Sequence, residues 1–313
     1  MLRGKRVVVT GGAGFIGSHL VERLAAANDV VVLDNLSSGR LQNLATLKDR
    51  VEVVKGSIVD PRAAKKALAG ADLVFHLAAL TSVPESLENP VAYAKTNVGG
   101  TITILTAAQD AGVDRVVFAS TCAIYGADPP PLGEDAPPDP LSPYAVTKLA
   151  CEQFFRSLSR SDYPRTVCLR LFNVYGPRQR PDSPYASVVA RFVRATATGS
   201  PLTRHGDGLQ TRDFIYVADA AEAFERAATT KGAAGGVFNV GSGRETSIVD
   251  LIETLNALSS KSLKVVKEPA RSADIRNSRA DTTRARKVLG FEARTSLKEG
   301  LRRTLEAARL TSS

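Results

Sequence analysis

The sequence predicts an α/β protein built on a doubly wound parallel sheet, followed by a smaller C-terminal α/β substrate-binding domain. Short runs of β-branched residues alternate with helix-like segments through the first half of the chain. Most of these runs are apolar at successive positions, which is typical of strands buried on both faces. A glycine-rich turn directly follows the first run, as in sheets that bind a phosphate at the start of a helix.

The predicted elements follow one another in a regular order. In the first half they read RVVVT, HLVERLAAA, DVVVLD, VEVVKGSIVD, ADLVFHLAA, a helix around Val98 to Ala111, and RVVFAST. A helix starting near Ser142, the strand TVCLRLF and an irregular stretch NVYGPRQRPDSP come next. The later segments RDFIYVAD, AAEAFERAA and GVFNVG again have core character, so we expect residues 214–240 to return to the first domain. The predicted domains are residues 1–176 and 177–313.

Composition narrows the class of protein. The chain has 313 residues, of which 43% are hydrophobic and 23% are charged, which excludes disordered and collagen-like proteins. No apolar run has the length of a signal peptide or a membrane span, so we expect a cytoplasmic protein without a membrane partner. The three cysteines are widely spaced and odd in number, which indicates reduced core thiols rather than a disulfide framework or a metal site.

The formal net charge of +9 raises the question of a nucleic-acid partner. Residues 271–313 hold eleven Lys and Arg against five Asp and Glu, so most of the excess lies near the C-terminus. No nucleic-acid-binding motif accompanies these residues. We therefore expect no nucleic-acid partner, and we interpret most of the basic residues as solvated helix faces.

The stretch GGAGFIG places Gly11, Gly14 and Gly17 on a GxxGxxG spacing between a strand and a helix. Such glycines permit a tight turn and a close approach of the backbone to a pyrophosphate. Asp34 ends the second strand, where a carboxylate can accept hydrogen bonds from both ribose hydroxyls and repels a 2′-phosphate. The two features together favour NAD over NADP as cofactor. A packing turn and a helix N-cap are the structural alternatives.

The stretch SPYAVTK places Tyr144 and Lys148 four residues apart at the start of a predicted helix. This spacing brings both side chains to one helix face, where an ammonium would favour the ionised phenol. Tyr144 would then act as a base near neutral pH. The alternative is a surface tyrosine beside a solvated lysine.

A series of motifs resembles one enzyme family over nearly the whole chain. The motifs, in order, are TGGAGFIG, DNLSSG, HLAA, TNVGGT, STCAIYG, SPYAVTK, LRLFNVYGPRQ, GDGLQTRDFIYVAD, FNVGSG and RSADIRNSRADTTRARKVLGF. They resemble the extended short-chain dehydrogenase/reductases, and among these the NAD-dependent nucleotide-sugar epimerases and dehydratases. The resemblance implies a Rossmann domain at residues 1–176, a nucleotide-sugar-binding domain at 177–313, and NAD as cofactor.

The resemblance also implies roles for individual residues. Tyr144 would act as acid and base at the sugar hydroxyl, Lys148 would hold the nicotinamide ribose and lower the pKa of the phenol, and Thr121 would bond the same sugar oxygen. The implied cofactor-binding residues are Gly11, Gly14, Phe15, Ile16, Gly17, Asp34, Asn35, Ser37, Ile58, Asp60, Leu77, Ala78, Ala79, Asn97, Tyr144 and Lys148. The implied substrate-binding residues are Thr121, Tyr144, Asn173, Val188, Thr203, His205, Arg212, Arg271, Asp274 and Ser278.

His205 stands where the family often has an aromatic ring against uracil, and a surface histidine in a turn is its alternative. His19 and His76 are interpreted as packing residues, and no metal site is expected. The helices around Val98 to Ala111 and Tyr144 to Ser159 would form a homodimer contact, or would face their own sheet.

The implied reaction is redox-neutral inversion at C4 of a UDP-hexose, through a 4-keto intermediate and bound NAD. Family members that eliminate water carry an Asp-Glu pair after the catalytic Thr, where this chain has Cys122 and Ala123. This difference weakens the dehydratase and decarboxylase alternatives, whereas a UDP-glucuronate 4-epimerase stays open. A dinucleotide sensor without enzyme activity is a remote alternative. The small side chain of Ser278 predicts that N-acetylated sugars are accepted as well.

Overall fold

A computed structural model of the chain describes residues 2–158, 164–182, 186–259, 262–270 and 275–312. Its strands are β1 (Arg6–Thr10), β2 (Asp29–Asp34), β3 (Val51–Lys55), β4 (Leu73–His76), β5 (Arg115–Thr121), β6 (Arg165–Leu171), β7 (Asn173–Tyr175), β8 (Leu202–His205), β9 (Thr211–Arg212), β10 (Phe214–Tyr216), β11 (Val237–Val240), β12 (Thr246–Ser247) and β13 (Val265–Glu268). Its helices are α1 (Phe15–Leu24), α2 (Pro61–Leu68), α3 (Val83–Glu88), α4 (Pro90–Tyr93), α5 (Gly100–Asp110), α6 (Pro143–Leu158), α7 (Val188–Thr198), α8 (Val217–Thr229), α9 (Ile248–Leu258) and α10 (Leu297–Ser312). Shorter 3₁₀ turns lie at Leu41–Leu47, Cys122–Tyr125 and Lys231–Ala233, and π-helical turns lie at Ala94–Gly99 and Ala285–Leu289.

The central sheet has seven parallel strands in the order β3-β2-β1-β4-β5-β6-β11. Val7 and Val9 of β1 pack in one hydrophobic cluster, while Val8, between them, packs in another on the opposite face. Helices cover both faces, so successive side chains along a strand are all buried. The predicted doubly wound α/β fold is thereby confirmed. The edge strand β3 differs, because Val54 is its one buried residue.

The second half of the chain builds a smaller α/β region beside the carboxyl ends of the strands. Three short strand pairs, β7 with β10, β8 with β13 and β9 with β12, frame it. Phe192 of α7, Leu251 of α9 and Leu305 of α10 are buried together in its core. The predicted irregular stretch after β6 begins with the short strand β7, which directs the chain away from the sheet.

Residues 214–240 are divided between the two regions. Strand β10 pairs with β7 outside the central sheet, helix α8 packs against α1, and β11 joins the central sheet beside β6. The domain boundaries at residue 176 and in this segment stay a prediction.

The proline-rich loop between β5 and α6 is joined to the C-terminal region. The Leu132 amide donates to the Arg279 carbonyl at 2.9 Å, and the Asp281 amide donates to the Leu132 carbonyl at 2.9 Å. The loop therefore forms an ordered wall, and it lies next to the site described below. No helix in the described part of the chain has the length and apolar character needed to cross a membrane.

Candidate active site

The glycine turn after β1 leads directly into α1. Gly11 has a φ of +70°, and a Cβ at this position would lie 2.9 Å from the backbone of Ala78. A side chain is therefore excluded both by backbone conformation and by space. Gly14 is the N-cap of α1 and has no side chain to cap it, so the backbone N–H groups of Phe15 and Ile16 at the start of the helix face the turn. This cradle fits a pyrophosphate at a helix N-terminus.

Asp34 lies buried at the end of β2 beside this turn. Its carboxylate accepts hydrogen bonds from the amides of Ala13 at 3.0 Å and Leu36 at 2.8 Å. Gly39 closes over it, because a Cβ there would lie 2.8 Å from Asp34 Oδ2. Each carboxylate oxygen has a further lone pair, so the group can still accept from ribose hydroxyls. The residues present fit NAD.

The rest of the predicted cofactor loop is arranged around Asp34. The side chain of Asn35 accepts from the amide of Ser37 at 3.0 Å, and Leu36 between them has a positive φ of +60°. This tight turn returns the chain toward Gly39 and places Asn35 and Ser37 at the same end of the sheet as the glycine turn.

Thr10 and His76 support the floor of the cofactor crevice. Thr10 Oγ1 lies 2.8 Å from His76 Nδ1 and accepts from the amides of Leu77 and Ala78, at 3.2 and 3.1 Å. His76 Nε2 lies 3.0 Å from Thr101 Oγ1. Burial, and next the charge of Lys148, lower the pKa of His76 to about 3, so this imidazole is neutral. His76 is more than a packing residue, since it ties the predicted Leu77-Ala78-Ala79 segment to α5.

Asn97 lies in the π-helical turn before α5 and is buried. Its amide oxygen accepts from Leu80 N at 2.8 Å, and its amide nitrogen donates to Leu80 O and to Thr147 Oγ1, both at 3.0 Å. Both amide protons are used within the protein. Asn97 thus holds the loop after β4 against α6, and its contact with the cofactor stays a prediction.

Ile58 and Asp60 follow β3. Ile58 is buried against Gly100, and Asp60 caps α2 by accepting from the amide of Arg62 at 2.9 Å. The Asp60 carboxylate, which we expect to bind the cofactor, thus also caps a helix, and aspartate is favoured at this cap position.

Tyr144 and Thr121 meet at the carboxyl end of β5. The side chain of Thr121 is hydrogen-bonded to the Tyr144 phenol, and its Oγ1 also accepts from the amide of Ala123 at 3.2 Å. Tyr144 is 9% exposed. Burial raises the pKa of Tyr144 to about 12, and the Thr121 bond offsets this only in part. The side chains predicted to act on the sugar hydroxyl are therefore brought together.

Lys148 is buried one helical turn further along α6. Its ammonium donates to the Ala119 carbonyl at 2.8 Å and lies 4.7 Å from the centre of the Phe118 ring. Burial lowers the pKa of Lys148 to about 8, opposed by the nearby Cys151, Glu152 and Cys168. The ammonium is directed to the Ala119 carbonyl of β5, and the expectation that Lys148 lowers the pKa of Tyr144 stays a prediction.

A cavity of about 340 Å³ lies beside this end of the sheet. Predicted substrate residues line it, namely Asn173, Val188, Thr203, His205 and Arg212. Arg212 is held in place by bonds to the carbonyls of Thr211 and Ile275, both at 2.7 Å. The His205 ring lies 3.5 Å from the Glu268 carboxylate, so it is anchored in the cavity wall rather than in an exposed turn.

A second cavity of about 150 Å³ shares Asn173 and Arg212 with the first. It is also lined by Cys122, Ala123, Leu132 and the buried Ser278. Cys122 directly follows Thr121 in the chain, so the two cavities follow one another from the small region toward the carboxyl end of β5. Burial raises the pKa of Cys122 to about 12, which makes its thiol inert.

Two of the predicted substrate-binding residues lie outside the described part of the chain, and several residues that line the cavities were not predicted. Arg271 and Asp274 lie outside the described residues. Sequence reasoning missed Arg191 of α7, Gln210 and Asn277, which line the cavities. No spacing rule marks them, because they come from separate elements that the fold brings together.

Known proteins with similar sequences or folds were compared with the chain. The model of the NAD dependent epimerase/dehydratase family matches residues 7–241. The UDP-glucose 4-epimerase of Mycolicibacterium smegmatis is 43% identical over 310 residues, 96% of this chain and 97% of that protein. The UDP-N-acetyl-alpha-D-glucosaminuronate decarboxylase of Bacillus cytotoxicus is 36% identical over 315 residues, 96% of this chain and 97% of that protein.

Among solved structures, the UDP-glucose 4-epimerase of Thermotoga maritima with UDP-glucose superposes with a TM-score of 0.93 at 38% identity. The match covers 98% of this chain and 100% of that one. These matches confirm the family resemblance of the sequence motifs. They also confirm NAD as the cofactor. The chain belongs to the NAD-dependent epimerase/dehydratase family, whose members act on UDP-sugars.

Proposed function

We propose that the protein inverts C4 of a UDP-hexose, interconverting UDP-glucose and UDP-galactose without net oxidation or reduction. The observation that carries the proposal is the succession of two cavities, the smaller of which is lined by Cys122, the residue that directly follows Thr121. The larger cavity suits a nucleoside diphosphate, since it holds Arg212 and an imidazole, and the smaller suits one sugar ring. The similarity to UDP-glucose 4-epimerases supports the same conclusion.

The side chains have separate tasks in this reaction. Tyr144 takes the proton from the sugar 4-hydroxyl and later returns it, while Thr121 holds the same oxygen. Lys148 holds the nicotinamide ribose, and Arg212 anchors the diphosphate while the sugar turns. When bound, NAD supplies a reversible hydride acceptor and a positive charge that favours the phenolate. Because burial alone raises the pKa of Tyr144, the phenol depends on that added charge to act as a base.

The cavity chemistry favours epimerisation over elimination and decarboxylation. Cys122 and Ala123 line the smaller cavity where related dehydratases have an acid and a base. A thiol with a pKa of about 12 supplies neither near neutral pH. UDP-glucuronate 4-epimerisation is the second candidate, because it needs the same catalytic groups and a cation for the uronate, and Arg212 reaches into this cavity.

We propose three further properties. Ser278 leaves room in the smaller cavity for an N-acetyl group, so UDP-GlcNAc and UDP-GalNAc are substrates as well. The protein forms a homodimer through α5 and α6, on which Ile102 and Phe154 are 38% and 39% exposed. It acts in the cytoplasm, where its free thiols stay reduced and its cofactor is available.

The test is incubation of the purified protein without added cofactor, separately with UDP-galactose, UDP-GalNAc and UDP-glucuronate, followed by chromatography of the products. We expect the C4 epimer with no net NADH, and the relative rates rank the sugars. A UDP-pentose from UDP-glucuronate would instead establish decarboxylation. NAD binding without any turnover, even with NAD added, would favour the sensor. The Tyr144→Phe variant serves as the inactive control.

A further inference from the structure

A buried carboxylate lies one helical turn beyond Lys148 and has no task in the chemistry above. Glu152 accepts a fork from Arg170, with Nη2 at 2.8 Å from Oε2 and Nε at 3.1 Å from Oε1. Ser120, next to the catalytic Thr121, donates its hydroxyl to Glu152 as well. Both members of the ion pair are almost fully buried. Burying two charges is costly unless every polar atom has a partner, which makes this pair a site to explain.

Arg170 uses its remaining donors on the other side. Its Nη1 donates to the Tyr125 hydroxyl at 2.9 Å and to the Glu134 carbonyl at 3.0 Å. The guanidinium also lies 4.9 Å from the centre of the Tyr125 ring. Glu134 belongs to the proline-rich loop, so one guanidinium joins the catalytic helix α6 to that loop.

Tyr125 extends the network to the wall of the smaller cavity. Its hydroxyl donates to Asn239 Oδ1 at 2.7 Å. The Asn239 amide nitrogen donates to the carbonyls of Leu132 at 2.8 Å and Asp281 at 3.2 Å. Leu132 lines the smaller cavity, and residues 279–281 pair with it. An unbroken series of bonds thus runs from α6 to the cavity wall.

We propose that Glu152 and Arg170 are positioning residues that hold the catalytic end of β5, the helix carrying Lys148, and the wall of the sugar cavity in one fixed register. Ser120 joins the network to β5 through its hydrogen bond to Glu152. Its neighbours in the strand are Thr121 and Ala119, whose carbonyl accepts from Lys148. Removing the Tyr125 hydroxyl breaks the part of the network that holds the cavity wall, whereas replacing Glu152 also changes the surroundings of Lys148. The catalytic part of this inference rests on the proposed function.

The charge of Glu152 adds a signature that a purely structural role lacks. The titratable groups that raise the pKa of Lys148 against the effect of burial are Cys151 and Glu152 from α6 and Cys168 from β6, while His76 from β4, also nearby, is neutral. Glu152 favours the ammonium form. Its replacement by an uncharged amide should therefore move the alkaline limb of the pH profile to lower pH.

The experiment compares Tyr125→Phe and Glu152→Gln with the control Glu225→Gln. Glu225 is also a buried carboxylate paired with an arginine, since it accepts from Arg23 at 2.6 Å, but it lies on α8 away from the site. For each variant we would measure thermal unfolding, UDP affinity by calorimetry, and hydrogen exchange of residues 127–139 and 275–281. We would also measure kcat and KM for UDP-galactose as a function of pH.

For Tyr125→Phe we expect faster exchange in both segments and a rise in KM of about 3- to 10-fold, the effect of one lost hydrogen bond. Its pH profile should not change. For Glu152→Gln we expect hydrogen exchange as fast as in Tyr125→Phe, a lower kcat, and an alkaline limb of the pH profile at lower pH. Glu225→Gln should lose stability alone. If Tyr125→Phe and the control behave alike in exchange and KM, the proposal is overturned, even where Glu152→Gln fails to fold.

Failure of the proposed function would look different. A wild-type protein that converts no UDP-sugar removes the kinetic readout, but faster exchange of the two segments in Tyr125→Phe, absent in Glu225→Gln, would still support the positioning network. Unchanged exchange in an active enzyme would reject the network and leave the epimerase proposal intact.

Discussion

The ammonium of Lys148 donates a hydrogen bond to the carbonyl oxygen of Ala119 at 2.8 Å, two residues before Thr121. Lys148 is thus fixed to the same strand that carries the hydroxyl partner of Tyr144. Together with the bond from Ser120 to Glu152, this contact joins α6 to the end of β5.

Activity should fall as the pH rises through about 8. The pKa of Lys148 is lowered to about 8, chiefly by burial, so the ammonium that we propose holds the nicotinamide ribose is lost above that value. The measurement is kcat at saturating UDP-galactose between pH 6 and pH 10, with unfolding followed in parallel. A rate that stays constant to pH 10 while the protein stays folded would contradict the assignment.

Replacing Lys148 by Met should abolish turnover and stabilise the fold at pH 7. Because the folded pKa of about 8 lies below the ordinary lysine value of 10.5, the unfolded chain binds more protons between these values, and wild-type stability rises with pH through that window. At pH 7 the buried ammonium costs about 3 kcal/mol. Denaturant unfolding of Lys148→Met and wild type at pH 7 and pH 10 tests this, and the advantage of the variant should shrink at pH 10.

Asp34→Asn should weaken NAD binding about tenfold and reduce the discrimination against NADP. The variant removes the charge that repels a 2′-phosphate and one acceptor for the ribose. Calorimetric titration with both cofactors is the measurement. Asp29→Asn is the matched control, because Asp29 lies exposed at the other end of β2 in an ion pair with Arg6. Equal losses in the two variants would argue against the role of Asp34.

Ser278→Tyr should close the smaller cavity to N-acetylated sugars. We expect kcat/KM for UDP-GalNAc to fall about 10- to 100-fold relative to UDP-galactose, because a phenol would occupy the space beside Cys122 and Ala123. Ser278→Ala keeps the space open and should leave the ratio as in the wild type. A wild-type protein that converts neither acetylated sugar would reject the hypothesis at the outset.

Ile102→Glu and Phe154→Glu should each convert the proposed dimer to monomers. A carboxylate on the apolar face of α5 or α6 would be buried without a partner in the contact. Leu310→Glu is the control, because Leu310 is 82% exposed on α10, away from that face. Light scattering gives the mass directly, and a monomeric wild type would remove the dimer from the proposal.

The sequence predicted those features that depend on local pattern. The β-branched runs indicated the parallel strands, and the glycine spacing and Asp34 indicated the cofactor end of the sheet. Five of the predicted substrate residues line one cavity although they are spread over residues 173–212. The family resemblance identified them, because the periodicity of the sequence does not mark binding residues.

The features that the sequence did not reveal depend on tertiary contacts. The spacing of Tyr144 and Lys148 indicated a shared helix face but not the carbonyl of Ala119, which comes from another strand. The motif around Asn97 did not indicate its bonds to Leu80 and Thr147, because these partners come from a loop and from another helix. Glu152 lies on a helix and its partner Arg170 on a strand, and no sequence motif predicts such a pair.

The position of β11 has a consequence for how the protein is made. The outer edge of β6 is covered only when residues 237–240 arrive, more than sixty residues after β6 itself. During synthesis the nascent sheet must therefore wait for α7 and for strands β7 to β10 of the small region to emerge from the ribosome before its last apolar strand is paired. Ile275, Asn277 and Ser278, which line the smaller cavity, emerge later still, so that cavity is completed only after the sheet.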